Sequence, residues 1–142
     1  ARAVIPTIAS QLISGKDQLN LGALSPTRDF NFVTDTAQGM LALALCPKAE
    51  GQVVNIGSGE EWSIAETVDM LCQISGREVE ILTDEERIRP EKSEVNRLLA
   101  DNSIISNLTD WKSEVHFQKG LELTYQWIEK NIHHFDVDTY AK

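Results

Sequence analysis

The chain has 142 residues, 42% of them hydrophobic and 25% charged, which is the composition of a globular protein with a real core and excludes disorder over most of its length. Its formal net charge of −9 excludes non-specific attraction to nucleic acid or to an anionic membrane. Any anionic ligand must therefore be held by a local cluster of arginines and backbone N–H groups.

The opening Ala1-Arg2-Ala3-Val4-Ile5-Pro6 starts in mid-pattern without Met, as a fragment of a longer chain would. Val4, Ile5, Ile8, Leu12 and Ile13 recur at helical spacing, and Gly15 closes the pattern, so a helix is expected from about Pro6 to Ser14. Residues 18–22 read as a short strand with a glycine exit, and Ser25-Pro26-Thr27 as a turn. Phe30 to Val33 alternate like a strand. Thr34 or Asp35 is then expected to cap a helix that runs through Met40, Leu41 and Leu45 until Pro47 stops it. The β-branched run from Gln52 to Ile56, ending in Gly57-Ser58-Gly59, has the composition of a strand buried on both faces.

Ser63-Ile64-Ala65-Glu66 fits a capping box before the apolar stripe Val68, Leu71, Ile74, and Gly76 ends that helix. Glu78 to Leu82 alternate as a half-buried strand. Thr83 to Arg87 fit one helical turn, with Glu86 completing a second capping box. Residues 87–102 are the least periodic and most charged stretch. A last amphipathic helix is expected from about Phe117 to Asn131, with Phe117, Leu121, Tyr125, Ile128 and Ile132 on one face. The polar tail from His133 frays, giving one domain over 1–132 and a tail over 133–142. Alternating strands and helices make the fold class mixed α/β.

Cys46 and Cys72 lie among apolar neighbours with no CxxC spacing, and read as small buried hydrophobes in a reducing compartment. No apolar run approaches the roughly 18 residues that span a bilayer, and no basic-then-apolar leader opens the sequence. The expected location is the cytoplasm.

No Gly-x-x-Gly-x-x-Gly opens a strand–helix unit, so the sequence lacks a dinucleotide fingerprint. Gly57-Ser58-Gly59 reads as a tight turn. The His133–His134 pair reads as a solvated pair at a helix end, favoured by the helix dipole, before it reads as a metal site. Arg28, between a turn and a strand, can present a planar charged fork to a phosphate, though an ion pair with Asp29 is the simpler reading of that segment alone. Pro90 biases Arg89 to an extended conformation, so Arg87 and Arg89 project to one side in a way that suits a diphosphate. A charged, solvated loop is the alternative.

In order, Ala3-Val4-Ile5-Pro6, Leu21-Gly22, Thr27-Arg28-Asp29-Phe30-Asn31-Phe32-Val33-x-Asp35, Asn55-Ile56-Gly57-Ser58-Gly59, Arg89-Pro90, Leu99-Ala100-Asp101, Asp110-Trp111 and Gly120-Leu121 run the length of the chain. This succession resembles the C-terminal part of extended short-chain dehydrogenases/reductases acting on nucleotide sugars. Ser-Pro-Thr-Arg-Asp-Phe at 25–30 and Arg-Pro-Glu-Lys-Ser-Glu-Val at 89–95 are most similar to 4,6-dehydratases that begin nonulosonic-acid (legionaminic or related) synthesis.

The resemblance implies that Arg28 and Arg89 contact the diphosphate of a nucleotide sugar, a UDP-sugar first. It implies that Glu94 reaches the ribose hydroxyls and that the strand at Leu21 touches the base through its backbone. It also implies an NAD-binding Rossmann domain and a Tyr-x-x-x-Lys catalytic pair lying upstream of the region covered. No Tyr-x-x-x-Lys occurs here, so the chain is expected to hold no cofactor, to supply no catalytic residue and to be inactive alone. The alternative is a stand-alone, truncated binding or oligomerisation module, such as a gene remnant or mobile-cassette product. Without a Rossmann sheet to join, the strand at 52–56 would keep an open apolar edge, so a homodimer is expected.

Overall fold

The computed structural model describes residues 3–84 and 95–135. It is a mixed α/β structure: α1 (Val4–Ile13), β1 (Gln18–Leu21), β2 (Thr27–Arg28), α2 (Val33–Ala44), a 3₁₀ turn (Pro47–Ala49), β3 (Trp62–Ser63), α3 (Ile64–Ser75), β4 (Glu80–Thr83), β5 (Arg97–Leu98), α4 (Ser103–Leu108), α5 (Phe117–Lys130) and a second 3₁₀ turn (Ile132–His134). Two compact units are interleaved along the chain. One comprises Ala1–Pro26, Ser63–Asn96 and Leu121–Lys142, the other Thr27–Trp62 and Arg97–Gly120.

The first unit is organised by an apolar core. β1 and β4 pair in parallel, in register from Gln18↔Glu80 to Leu21↔Thr83, and Asp84 N–H extends the ladder by donating to Leu21 C=O at 2.8 Å. Ile8, Ala9 and Leu12 of α1, Leu19 and Leu21 of β1, Val68 and Leu71 of α3, and Leu121 and Ile128 of α5 are all buried. Each such large side chain contributes about 1.5–3 kcal/mol on burial. Gln11 is also buried: its amide donates to Thr7 C=O at 3.0 Å and accepts from Asn20 N–H at 3.1 Å, which ties α1 to β1.

Local signals fix the helix ends in this unit. The capping box forms, with Ser63 N–H donating to Glu66 Oε2 at 2.8 Å and Glu66 N–H donating to Ser63 Oγ at 3.1 Å. Gly76 closes α3 in the left-handed conformation, φ 66°, where a Cβ would be strained. α1 begins at Val4, two residues before the expected start, because Pro6 occupies a first-turn position whose N–H has no helical partner to lose.

The second unit has few buried apolar side chains, chiefly Ile105 and Phe117. Phe117 is sandwiched between Phe30, at a ring-centroid distance of 5.2 Å, and Trp62, at 5.1 Å, with both rings near-parallel to it. Such pairs add about 0.5–1.5 kcal/mol each beyond area burial. β3, β2 and β5 lie side by side in that order, and β2 and β5 run parallel with Thr27↔Arg97 and Arg28↔Leu98.

Several expectations are corrected here. The strand at Phe30–Val33 is absent: the strand is Thr27–Arg28, Phe30 turns into the ring stack, and Val33 already begins α2. α2 has Phe32 at its N-cap and no side-chain cap, because the Asp35 carboxylate is engaged by residues 113–115. The run Gln52–Ile56 joins no sheet among the described residues, and Val53 is 90% exposed where burial on both faces was expected. Thr83 ends β4 instead of opening a helical turn; residues 85–87 lie outside the described residues. Cys46 and Cys72 are free and half-buried, not buried. The Cys72 thiol is pushed up by burial and by nearby Asp69.

Candidate functional site

Arg28 stands on β2 and is half-buried, with Nη1 donating to Thr27 C=O at 2.8 Å. Successive strand residues face opposite ways, so Thr27 points to the other side, where a clamp forms across the three strands. Thr27 Oγ1 donates to Glu61 Oε2 at 2.7 Å. Arg97 forks onto the same carboxylate, Nε at 2.9 Å from Oε2 and Nη2 at 2.8 Å from Oε1. The guanidinium of Arg97 and the hydroxyl of Thr27 hold the Glu61 carboxyl below its ordinary value.

A carboxyl with a depressed folded-state pKa stabilises fully above its unfolded value and loses that contribution as pH falls through the folded one. The Glu61 clamp is therefore intact at neutral pH and released in acid, below the ordinary glutamate value of about 4.3. Glu61→Gln is expected to flatten the acid limb of a stability–pH curve while leaving the alkaline limb in place. An unchanged acid limb in urea titrations at several pH values would count against the clamp.

Asp29, next to Arg28, organises the glycine loop. Its carboxylate accepts from Ser58 N–H at 2.7 Å, Ser58 Oγ–H at 2.6 Å, Gly59 N–H at 3.0 Å and Ala100 N–H at 3.2 Å. Successive N–H groups of this kind form an anion-binding concavity, and here the protein's own carboxylate fills it. The loop is thus structural, as its sequence suggested. Gly57 is required by contact: a Cβ there would lie 2.5 Å from both Asp29 Oδ2 and Ala100 Cβ.

Asp35 forms a second hub, 5% exposed. Oδ2 accepts from Ser113 Oγ–H, Glu114 N–H and Val115 N–H, and its backbone carbonyl accepts from Trp111 Nε1–H. Sequence reasoning missed Asp29, Asp35 and Glu61 as organisers. The adjacent Arg-Asp pair was the one available signal, and it pointed to an ion pair.

Of the expected ligand contacts, Leu21 lies in β1 of the first unit, its side chain buried and its carbonyl taken by Asp84 N–H. Arg28 belongs to the second unit. Arg89 and Glu94 lie outside the described residues. Three residues after Glu94 the sequence enters β5 at Arg97, in register with Thr27. His133 and His134 sit in the last 3₁₀ turn, ring centroids 4.1 Å apart. No group of three metal-ligating side chains occurs among the described residues, and no helix there is long and apolar enough to cross a membrane.

Residues 1–124 match the family described as GDP-mannose 4,6 dehydratase. The chain is 31% identical over 123 residues to a GDP-6-deoxy-D-mannose reductase of Pseudomonas aeruginosa, covering 83% of this chain and 40% of that protein. Among solved structures, an epimerase from Methanothermobacter thermautotrophicus superposes with a TM-score of 0.83 at 26% identity, over 93% of this chain and 38% of that one. A UDP-glucuronic acid 4-epimerase from Bacillus cereus, solved with UDP-glucuronic acid and NAD, gives 0.80 at 28% identity, over 91% and 40%. The chain spans about 40% of the length of these relatives. It belongs to the GDP-mannose 4,6-dehydratase family of extended short-chain dehydrogenases/reductases, the nucleotide-sugar epimerases and dehydratases.

Proposed function

We propose that this chain is the nucleotide-sugar-binding portion of an NAD-dependent sugar epimerase or dehydratase, and that it binds ligand without transforming it. Arg28 and Arg89 are assigned to the diphosphate of a UDP-sugar, Glu94 to the ribose hydroxyls, and the backbone of β1 at Leu21 to the base. The carrying observation is the placement of Arg28 on β2, where it is half-buried. The Glu61 clamp engages Arg97 on the Thr27 side. The solved relative that carries UDP-glucuronic acid and NAD supports the ligand class. NAD and the catalytic pair are assigned to sequence outside this chain: Tyr125 is followed four residues on by Glu129, not Lys. The proposed compartment is the cytoplasm.

Calorimetric titration with UDP-glucuronic acid tests the site. Arg28→Ala is expected to cost about 2–3 kcal/mol, near 100-fold in affinity, as for one lost partner of a desolvated charge pair. Arg28→Lys should recover part of it, since the charge returns without the bidentate fork. Binding indifferent to Arg28, or no binding by a folded wild-type chain, would remove the assignment.

The exposed apolar side chains of α2 favour a second reading, in which the chain self-associates as a homodimer and works as a non-catalytic module.

A further inference from the structure

Two carboxylates lie close to Arg28, and donors within the second unit take both. Asp29, its neighbour in sequence, accepts from Ser58 N–H, Ser58 Oγ–H, Gly59 N–H and Ala100 N–H. Glu61 is reached through Thr27, whose hydroxyl donates to Glu61 Oε2 at 2.7 Å while its carbonyl accepts from Arg28 Nη1 at 2.8 Å. Two hydrogen bonds and the width of one residue thus separate the Arg28 guanidinium from the Glu61 carboxylate. That span lies inside the roughly 10 Å Debye length of 0.1 M salt. The Asp29 charge is met by dipoles, whereas the Glu61 charge is met by a full positive one. Arg97 Nε lies 3.0 Å from Oε1 and 2.9 Å from Oε2, and Nη2 lies 2.8 Å from Oε1. Thr27, Arg28, Glu61 and Arg97 all belong to the second unit.

We infer that Arg97 is a positioning residue for the phosphate contact proposed at Arg28: it cancels the charge of Glu61, which otherwise lowers the positive potential that a nucleotide diphosphate meets there. The inference rests on the assignment of Arg28 to a diphosphate. Arg97 grips Glu61 on the Thr27 side of β2, so it acts on the ligand through the field of that carboxylate and not by contact. One unit charge at such a span changes the affinity for a dianion by about fivefold at low salt, for an effective dielectric between that of a protein surface and that of water. The sign of the effect separates charge from scaffolding. Loss of Arg97 uncovers a negative charge beside the site, and loss of Glu61 uncovers a positive one. A clamp that only braced the three strands would lose binding from either change.

Calorimetric titration with UDP-glucuronic acid at low salt tests this, with circular dichroism to check that each variant is folded. Arg97→Gln is expected to weaken binding about fivefold, and Glu61→Gln to tighten it by a similar factor. Arg97→Lys keeps the charge without the fork. It should stay within about twofold of the wild type, as should the double variant Arg97→Gln with Glu61→Gln, in which both charges are gone. Every difference should shrink as salt is raised. Losses of equal size in Arg97→Gln and Glu61→Gln, or an Arg97→Lys as weak as Arg97→Gln, would overturn the inference and leave the Arg28 contact standing. Binding that ignores Arg28→Ala, or no binding by the folded wild type, would instead remove the Arg28 assignment and this inference with it.

Discussion

Asp35→Ala is expected to lower the stability of the fold by about 3–5 kcal/mol, a large part of the 5–15 kcal/mol that holds a typical domain together. The carboxylate is 5% exposed and accepts three hydrogen bonds on one oxygen: from Ser113 Oγ at 2.9 Å, Glu114 N at 3.0 Å and Val115 N at 2.9 Å. Hydrogen bonds to a charged acceptor contribute about 1.5–3 kcal/mol each, and a buried donor left unsatisfied carries its own desolvation cost. Alanine strands two backbone N–H groups that cannot be removed by mutation. Asp35→Asn keeps an oxygen but adds an NH₂ among donors, so it should recover only part of the loss. The measurement is the urea midpoint at unchanged m-value. A loss below about 1 kcal/mol for alanine would mean that water replaces the carboxylate, and that the 113–115 segment does not depend on it.

The same hub explains what could be read from the sequence and what could not. Signals that act over three or four residues were legible: the Ser63–Glu66 box, Gly76 at the end of α3, and the Phe117–Ile128 stripe of α5 all formed as expected. The mixed α/β class followed from their alternation. β2, β3 and β5 are two residues each, too short for periodicity to register, and they exist because a partner from a distant part of the chain lies alongside. The 52–56 run failed for the converse reason: its β-branched composition was right, but no strand among the described residues pairs with it.

Arg28 could be singled out as a candidate because a guanidinium beside a turn carries chemistry by itself. Asp29, Asp35 and Glu61 were not, because their donors lie 29 to 80 residues away. A carboxylate's role is set by what surrounds it. An isolated Asp in a sequence looks the same whether it caps a helix, fills a nest or faces solvent. The resemblance supplied candidate site residues that pattern alone could not rank.

The nest around Asp29 gives the other large effect. Asp29→Ala removes the acceptor for the N–H groups of Ser58, Gly59 and Ala100 and for the Ser58 hydroxyl, and should cost about 3–4 kcal/mol by the same reasoning. Gly57→Ala attacks the same structure from the other side. Its Cβ would press on Asp29 Oδ2 and Ala100 Cβ at 2.5 Å, and overpacking of this kind costs about 1–3 kcal/mol or more. The two changes share one set of contacts, since the carboxylate that the new methyl strikes is the one that Asp29→Ala deletes. Their energies should therefore fall short of additivity by more than the roughly 0.5 kcal/mol expected of independent sites. Arg28 is the preceding residue on the same strand end, and Asp29 N–H continues the β2–β5 ladder by donating to Leu98 C=O at 2.7 Å. Asp29→Ala should then also weaken UDP-glucuronic acid binding, by loosening the backbone that carries the guanidinium. Strict additivity in the double mutant would show that the loop and Asp29 are separate features, and unchanged ligand affinity in a folded Asp29→Ala chain would uncouple the nest from the proposed phosphate contact.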